Sequence, residues 1–154
     1  MVNRTAVLMS IKPVYSRGIL DGSKTVELRR RRPAFAEGTP VVLYATSPDR
    51  RVVGVFDAGP VMAAAPDDLW RRVRDRAGLE REAFDAYFAG SDTAYAIEVL
   101  RPRRIRPTQL TIPAPQSYLM LRASNPSHVP YLALARGKDS VDRRSGYATR
   151  PALA

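Results

Sequence analysis

The sequence predicts a single α/β (α+β) domain, in which a small curled sheet or barrel is flanked by helices. Its 154 residues fit one domain with its own hydrophobic core. Several short apolar or alternating segments have the length and composition of strands. Two helical segments are inserted among them without the regular strand–helix alternation that a doubly wound parallel sheet requires.

The first half of the chain predicts four strands and one short helix. The strands are Thr5–Ile11, Lys24–Arg30, Val41–Thr46 and Arg51–Asp57, and the helix is Pro13–Leu20. The last two strands are joined by Ser47–Arg50, a loop with turn chemistry, and Gly59-Pro60 is expected to break the next run. Alternation in the second strand places Val26 and Leu28 on an apolar face. It places Thr25, Glu27 and Arg29 together on a polar face.

The second half predicts two helices, Pro66–Arg76 and Arg81–Phe88, followed by a strand over Thr93–Leu100. Arg101–Ile105 and Gln109–Ile112 are candidates to extend or follow that strand. From residue 123 the chain becomes polar and is interrupted by proline and glycine. We therefore divide it into a domain over residues 1–122 and a basic tail over residues 123–154. The tail is expected to be partly disordered or loosely docked, although residues 131–134 (YLAL) are apolar enough to pack on the domain.

The composition excludes several classes of site. The chain has no cysteine, which rules out disulfides, thiolate zinc sites and a cysteine nucleophile. Its single histidine, His128, rules out a multi-histidine metal site, so we expect no metal and no cofactor. No apolar run approaches the ~20 residues of a membrane span, and no signal peptide is recognisable. We expect a cytoplasmic protein that does not associate with membranes, either monomer or dimer.

The net charge of +10, from 25 Lys and Arg against 15 Asp and Glu, favours an anionic partner. The alternative is an arginine-rich surface with no ligand. Two clusters bear on this choice, Arg29–Arg32 and the group of Arg101, Arg103, Arg104 and Arg106. Each is either a stripe of phosphate contacts or a solvated strand edge. Glu98 is expected to form an ion pair with an arginine of the second cluster.

The segment from Ser10 to Pro33 contains the most specific local pattern. A strand ends at Lys12-Pro13, a helix crosses, a glycine turn follows, and a second strand begins at Lys24. Lys12, Lys24, Glu27 and Arg29 are then expected to converge near one mouth of the sheet, where they suit a phosphate or the polar edge of a base. An ordinary surface ion pair between Lys24 and Glu27 is the alternative.

This pattern resembles the ASCH domain family of the PUA-like superfamily. The matching segments, in chain order, are Ser10–Pro13, Tyr15, Ile19, Gly22–Arg29, Tyr44–Pro48, Val53–Gly54, Ala94–Val99 and Pro115–Tyr118. The resemblance implies a PUA-like β-barrel of five or six strands with flanking helices, and a cleft between the barrel mouth and the first helix. Members of the family are generally thought to bind RNA or to act near it.

The resemblance also implies a set of ligand-binding residues in the cleft. They are Lys12, Tyr15, Lys24, Glu27, Arg29, Tyr44, Gln116 and Ser117. The two tyrosines are candidates to stack on a base.

Some small ASCH proteins are amidohydrolases that act on N4-acetylcytidine with a lysine, a threonine three residues later, and a carboxylate. Lys24 matches the lysine, but Glu27 stands in the place of the threonine. Thr25 is adjacent, and alternation directs it away from the side of Lys24. If the protein is an enzyme, the predicted catalytic residues are Lys24, Glu27 and Asp75.

The sequence thus predicts a protein that binds RNA, a nucleotide or a modified nucleoside in a basic cleft. The alternative is a hydrolase of the same fold, either an amidohydrolase on an N-acylated cytidine or a ribonuclease.

Overall fold

In the computed structural model, residues 5–137 and 140–141 are described, and they form a mixed α+β fold around one sheet. Its strands are β1 (Thr5–Ile11), β2 (Val26–Arg29), β3 (Pro40–Ala45), β4 (Arg51–Ala64), β5 (Ala94–Thr108), β6 (Tyr118–Arg122) and β7 (Ser140–Val141). Its helices are α1 (Pro13–Asp21), α2 (Pro66–Val73), α3 (Arg81–Phe88) and α4 (Val129–Ala135), with a 3-10 turn at Pro126–His128 before α4.

The main strands follow the order β2-β5-β4-β3-β1-β6, with β7 paired to β5. The β1–β3 pair is parallel, and the other pairs are antiparallel. In the part of the chain that is described, β2 and β6 lie at the two ends of this order and are not paired with each other. The predicted α+β fold with flanking helices is therefore confirmed, and its sheet is barrel-like without closing into a complete barrel. Side chains link the two ends, since Arg29 at the end of β2 donates a hydrogen bond to the Ser117 hydroxyl just before β6.

Most of the predicted elements are confirmed, and the exceptions have local causes. The predicted break at Gly59-Pro60 is wrong, because β4 continues through both residues to Ala64. The register with β5 shifts between Ala58 and Val61, so that Pro60 lies in an irregular segment where its missing N–H costs little. Glycine is required beside it, since a Cβ on Gly59 would stand 2.7 Å from that of Glu98.

Two strand predictions differ at the end of the sheet. Residues 109–112 form no strand, while β5 itself extends through the arginine-rich segment to Thr108. The short strand β6 was not predicted. Three of its five residues are only partly buried, which leaves a weak hydrophobic pattern, and its place is fixed by antiparallel pairing with β1.

Three buried clusters join the helices to the sheet, and each buried large apolar side chain stabilises the fold by about 1.5–3 kcal/mol. The helical members are Ile19 and Leu20 of α1, Leu69 and Val73 of α2, Phe84 and Phe88 of α3, and Tyr131, Leu132 and Leu134 of α4. The predicted packing of residues 131–134 on the domain is thereby confirmed. The division of the chain at residue 122 stays a prediction, and residues 138–139 and 142–154 of the tail lie outside the described residues. Within the described residues, no helix is both long and apolar enough to cross a bilayer.

Candidate functional site

A cavity of about 460 Å³ opens between the end of β1, the start of α1, strand β2 and helix α3. Its lining residues are Ser10, Ile11, Lys12, Tyr15, Lys24, Glu27, Leu28, Arg29, Leu79, Ala83, Ala86 and Tyr87. The structure thus brings together five of the residues predicted from the sequence: Lys12, Tyr15, Lys24, Glu27 and Arg29. That these residues contact a ligand stays a prediction.

The local sequence explains how α1 contributes to this cavity. β1 ends at Ile11, and Pro13 begins α1 with a fixed φ and no N–H, so the chain turns at Lys12. The Lys12 carbonyl accepts hydrogen bonds from the N–H groups of Tyr15 and Ser16, at 3.0 Å each. The first turn of α1 therefore holds Lys12 and Tyr15 beside the end of β1.

Lys24 is the most buried charged residue at the cavity, with only 2% of its surface exposed. Its Nζ donates a hydrogen bond to the carbonyl of Ala77, at 2.5 Å, and lies 5.1 Å from the centre of the Tyr15 ring. Burial lowers the pKa of Lys24, the negative charge of Glu27 raises it in part, and the positive charge of Arg29 lowers it further. At a given pH, a larger fraction of Lys24 is therefore in the neutral amine form than for an exposed lysine.

Glu27 and Arg29 project from β2 into the same cavity, two residues apart on one face of the strand. Arg29 Nε lies 3.9 Å from Glu27 Oε1, and Arg29 Nη1 donates to the Ser117 hydroxyl at 3.4 Å. Three polar atoms of this pair, Glu27 Oε2, Arg29 Nε and Arg29 Nη2, are buried without a hydrogen-bond partner among the described residues. Such atoms are rare in folded proteins because each loses its hydration without compensation.

Tyr87 forms the α3 side of the opening and keeps 38% of its surface exposed. Its hydroxyl donates to the carbonyl of Leu28 at 3.3 Å, which ties α3 to β2. Burial raises the pKa of Tyr87, partly opposed by the positive charge of Arg29. Tyr87 falls within the predicted helix Arg81–Phe88, directly before the buried Phe88. It was not identified from the sequence as a cavity residue, because helical periodicity does not distinguish an aromatic side chain in the core from one at the opening of a cavity.

Thr25 lies outside the cavity. Its hydroxyl accepts from Arg76 Nε at 3.0 Å, and Arg76 also binds Glu98. The Thr25 carbonyl accepts from the Val99 N–H at 3.0 Å, so pairing with β5 continues through Thr25, and its predicted place on one face with Glu27 stays a prediction. The expected partner of Glu98 is corrected, since Glu98 pairs with Arg76 instead of an arginine of the second cluster.

Four other predicted residues are not among those that line the cavity. Tyr44 is buried in the α4 side of the core, because β3 is an interior strand of the sheet. Asp75 is exposed in the turn after α2. Gln116 and Ser117 are exposed beside the cavity, where Ser117 contacts Arg29 and its carbonyl accepts from the Ser10 N–H.

Across the described residues, no group of three or more histidine, aspartate or glutamate side chains is arranged to hold a metal ion. The chemistry of the cavity comes from an amine, a carboxylate, a guanidinium and tyrosine side chains.

Comparison with known proteins places this geometry in a family. The ASCH domain family matches residues 9–107. A relative from Zymomonas mobilis, named an ASCH domain-containing ribonuclease, is 32% identical over 108 residues, which are 70% of this chain and 73% of that protein. The crystal structure of ASCH from Zymomonas mobilis superposes with a TM-score of 0.76 and 29% identity, covering 84% of this chain and 96% of that one. The chain is also 37% identical to the large ribosomal subunit protein uL22 of Ureaplasma parvum over 57 residues. This match covers 37% of this chain and 18% of that protein. The chain belongs to the ASCH domain family.

Proposed function

We propose that the protein binds one nucleotide unit, of single-stranded RNA or of a free nucleotide, in the cavity between β2 and α3. The observation that carries this proposal is the set of buried polar atoms without partners at Glu27 and Arg29. A ligand that offers Glu27 a hydrogen-bond donor and Arg29 an acceptor would satisfy all of them at once.

A nucleotide meets both requirements. Base edges carry donors and acceptors side by side, and unstacked bases of single-stranded RNA are recognised through these edges. Phosphate oxygens accept readily from lysine and arginine, and Lys12, Lys24 and Arg29 all line the cavity. Tyr15 and Tyr87 add aromatic surface on which a base can rest. The volume of about 460 Å³ falls within the ~300–1,000 Å³ typical of small-molecule sites.

Two further facts support an RNA-related ligand. The chain carries a net charge of +10, which attracts polyanions at long range. Its Zymomonas mobilis relative bears the name ribonuclease, and the two chains align over most of their length.

Titration calorimetry with nucleoside monophosphates and short single-stranded RNA tests the proposal. Arg29→Met and Glu27→Leu should each weaken binding about tenfold or more, because each replaces a charged hydrogen-bonding group by an apolar side chain. Arg72→Ala is the matched control, since Arg72 is exposed on α2, does not line the cavity and lies outside both arginine clusters. Absence of binding to every nucleotide and RNA, with protein that remains folded, would overturn the proposal.

The second candidate function is hydrolysis, of RNA or of an N-acylated cytidine. It is favoured by the lowered pKa of Lys24 beside the Glu27 carboxylate and by the name of the relative. In RNA, Glu27 would take the proton of the 2′-hydroxyl as its oxygen attacks phosphorus, and charged Lys24 would protonate the 5′-oxygen as the P–O5′ bond breaks. In an N-acylated cytidine, Glu27 would take a proton from water as it attacks the acyl carbon, and Lys24 would protonate the cytidine amino nitrogen as the C–N bond breaks. Asp75, which lies away from the cavity lining, is not carried into this scheme.

Incubation with short RNA and with N4-acetylcytidine, followed by chromatography, distinguishes the two functions. An enzyme should release cleaved fragments or cytidine, and Glu27→Gln should abolish that turnover by removing the proton acceptor. If wild-type protein binds these compounds but leaves both unchanged, hydrolysis of these two substrates is excluded and binding stands.

A further inference from the structure

Three of the four charged side chains that line the cavity, Lys24, Glu27 and Arg29, alternate in hydrogen-bonding character along the chain, and the fourth, Lys12, is exposed. Lys24 can only donate in its charged form, Glu27 as a carboxylate can only accept, and Arg29 can only donate. Lys24 precedes β2, and Glu27 and Arg29 lie on it, so Glu27 falls between the two cations in chain order, and the charges of Glu27 and Arg29 both act on Lys24. Arg29 Nε lies 3.9 Å from Glu27 Oε1, so the guanidinium and the carboxylate are adjacent in space.

Each of the three groups has capacity left for a ligand. Lys24 has three N–H donors, and the structure assigns one of them to the Ala77 carbonyl. Glu27 Oε2 is buried without a partner among the described residues, and so are Arg29 Nε and Nη2. In chain order, the unused hydrogen-bonding groups are therefore a donor on Lys24, an acceptor on Glu27 and donors on Arg29.

We infer that the cavity selects a uracil-type base, whose edge presents a carbonyl, a ring N–H and a second carbonyl in that order. This inference rests on the proposed function and names the base that the site takes. Glu27 accepts the ring N–H, while Lys24 and Arg29 donate to the two flanking carbonyl oxygens.

The other common bases fit this array less well. Cytosine and adenine place a bare ring nitrogen at the centre of their edge, and a buried carboxylate has no proton to give it. Guanine offers a central N–H but an amino group on one side, which would face a cation. Each mismatch leaves a buried polar group unpaired, which corresponds to about a tenfold to hundredfold loss of affinity.

The experiment compares uridine, cytidine, adenosine and guanosine 5′-monophosphates by titration calorimetry on the full chain. Uridine monophosphate should bind at least about tenfold more tightly than the other three. A nucleotide methylated on the ring nitrogen of uracil should lose that advantage, because the methyl group replaces the hydrogen that Glu27 accepts. Equal affinity for all four nucleotides, or tight binding of the methylated one, would overturn the inference.

Glu27→Gln supplies a sharper test, because an amide can donate as well as accept. This variant should lose the preference for uridine and gain affinity for cytidine, whose ring nitrogen now meets an N–H. Arg72→Ala, an exposed arginine of α2 outside the cavity and outside both arginine clusters, should keep the wild-type order of affinities. A preference for uridine that survives Glu27→Gln in folded protein would remove Glu27 from the recognition and overturn the inference.

A uridylate oligomer added as a second ligand separates the two sources of such a base. Tighter binding of the oligomer than of the monophosphate identifies RNA as the ligand, and equal binding identifies the free nucleotide. Both results keep the inference. If no nucleotide binds at all, the proposed function fails with it, whereas binding without preference for uridine removes the inference alone.

Discussion

Gly78 packs directly against the aliphatic stem of Lys24. A Cβ built on Gly78 would stand 2.8 Å from Lys24 Cβ and 3.0 Å from its Cγ, closer than real contacts allow. On the opposite side, a Cβ on Gly18 would stand 3.1 Å from the same Lys24 Cβ. Two glycines thus enclose the lysine, and the neighbouring Ala77 carbonyl receives its Nζ.

We predict that Gly78→Ala destabilises the protein and weakens nucleotide binding together. Gly78 has a φ of +71°, so the alanine pays about 1–2 kcal/mol for the left-handed backbone. The clash with Lys24 adds about 1 kcal/mol or more and displaces its Nζ from the cavity. Urea denaturation measures the first effect, and calorimetric titration with a nucleotide measures the second.

Gly90→Ala is the control for this substitution. Gly90 also has a positive φ, +79°, but nothing lies within 4 Å of a Cβ built on it. It should show the backbone cost alone, with unchanged binding. Equal losses of stability in the two variants, with binding intact in both, would mean that Gly78 does not position Lys24.

The stability of the protein should depend on pH through Lys24. Burial lowers its pKa in the folded state below the ordinary value of 10.5. Below the folded-state pKa the lysine is charged in both states, and the folded protein bears the cost of burying that charge. Between the two pKa values only the unfolded chain binds the proton, so the free energy of unfolding rises with pH across this window. Above 10.5 the lysine is neutral in both states and the rise ends.

Lys24→Met isolates this contribution, because it removes the titrating group and keeps the stem. Urea unfolding of both proteins, from neutral pH to beyond the ordinary lysine pKa, should show wild type gaining stability relative to the variant as pH increases. Subtracting the free energy of unfolding of Lys24→Met from that of wild type also removes the contributions of other titrating groups, such as Tyr87, that both proteins share. A difference that stays constant with pH would contradict the burial of a titrating lysine.

The sequence was sufficient to predict the convergence at this cavity, because the signals are local. Pro13, the Asp21-Gly22 stop and the run from Lys24 fix a strand, a helix and a second strand within about thirty residues. The contacts that Ala77 and Gly78 make with Lys24, and that Tyr87 makes with Leu28, were not predictable in this way. They join residues more than fifty positions apart in the chain, and no periodicity encodes them.

Tyr44 and Thr25 show the limits of pattern in opposite directions. Tyr44 lies in a matched motif, yet β3 is interior, so its ring belongs to the core. Alternation groups Thr25 with Glu27 and Arg29, yet Thr25 does not line the cavity and its hydroxyl accepts from Arg76. Motif and alternation predict which segment forms a site, and the tertiary register decides which side chains enter it.

Helix α4 gives a prediction about truncation. Removing residues 137–154 should leave the fold intact, since the buried residues of α4 end at Ala135. Removing residues 123–154 should destabilise the protein strongly, because it uncovers the core cluster that Tyr131, Leu132 and Leu134 complete. Thermal melting of both forms tests this. For the shorter deletion, a fall in Tm of more than about 5 °C, which corresponds to ~1 kcal/mol or more, would show that the removed segment contributes to the fold.

The two arginine clusters should differ in their contribution to RNA binding. In the second cluster, Arg101 and Arg103 are paired with Asp57, which offsets part of their charge. Arg30–Arg32 has no such carboxylate partner among the described residues: Arg30 donates to the Ala89 carbonyl, and Arg32 lies over the Tyr95 ring. This run directly follows Arg29, so it is placed to contact the phosphates of an RNA whose base occupies the cavity.

We therefore expect the triple replacement of Arg30, Arg31 and Arg32 by alanine to flatten the salt dependence of RNA binding. The slope of log affinity against log salt concentration should fall by about one unit for each phosphate contact removed. Alanine at Arg101 and Arg103 is the matched comparison, and it should change the slope less, because Asp57 already offsets their charge. Filter binding of a short single-stranded RNA across a salt series measures both slopes. A slope left unchanged by the triple replacement would identify Arg30–Arg32 as a solvated strand edge, and the phosphate contacts would have to come from elsewhere on the surface.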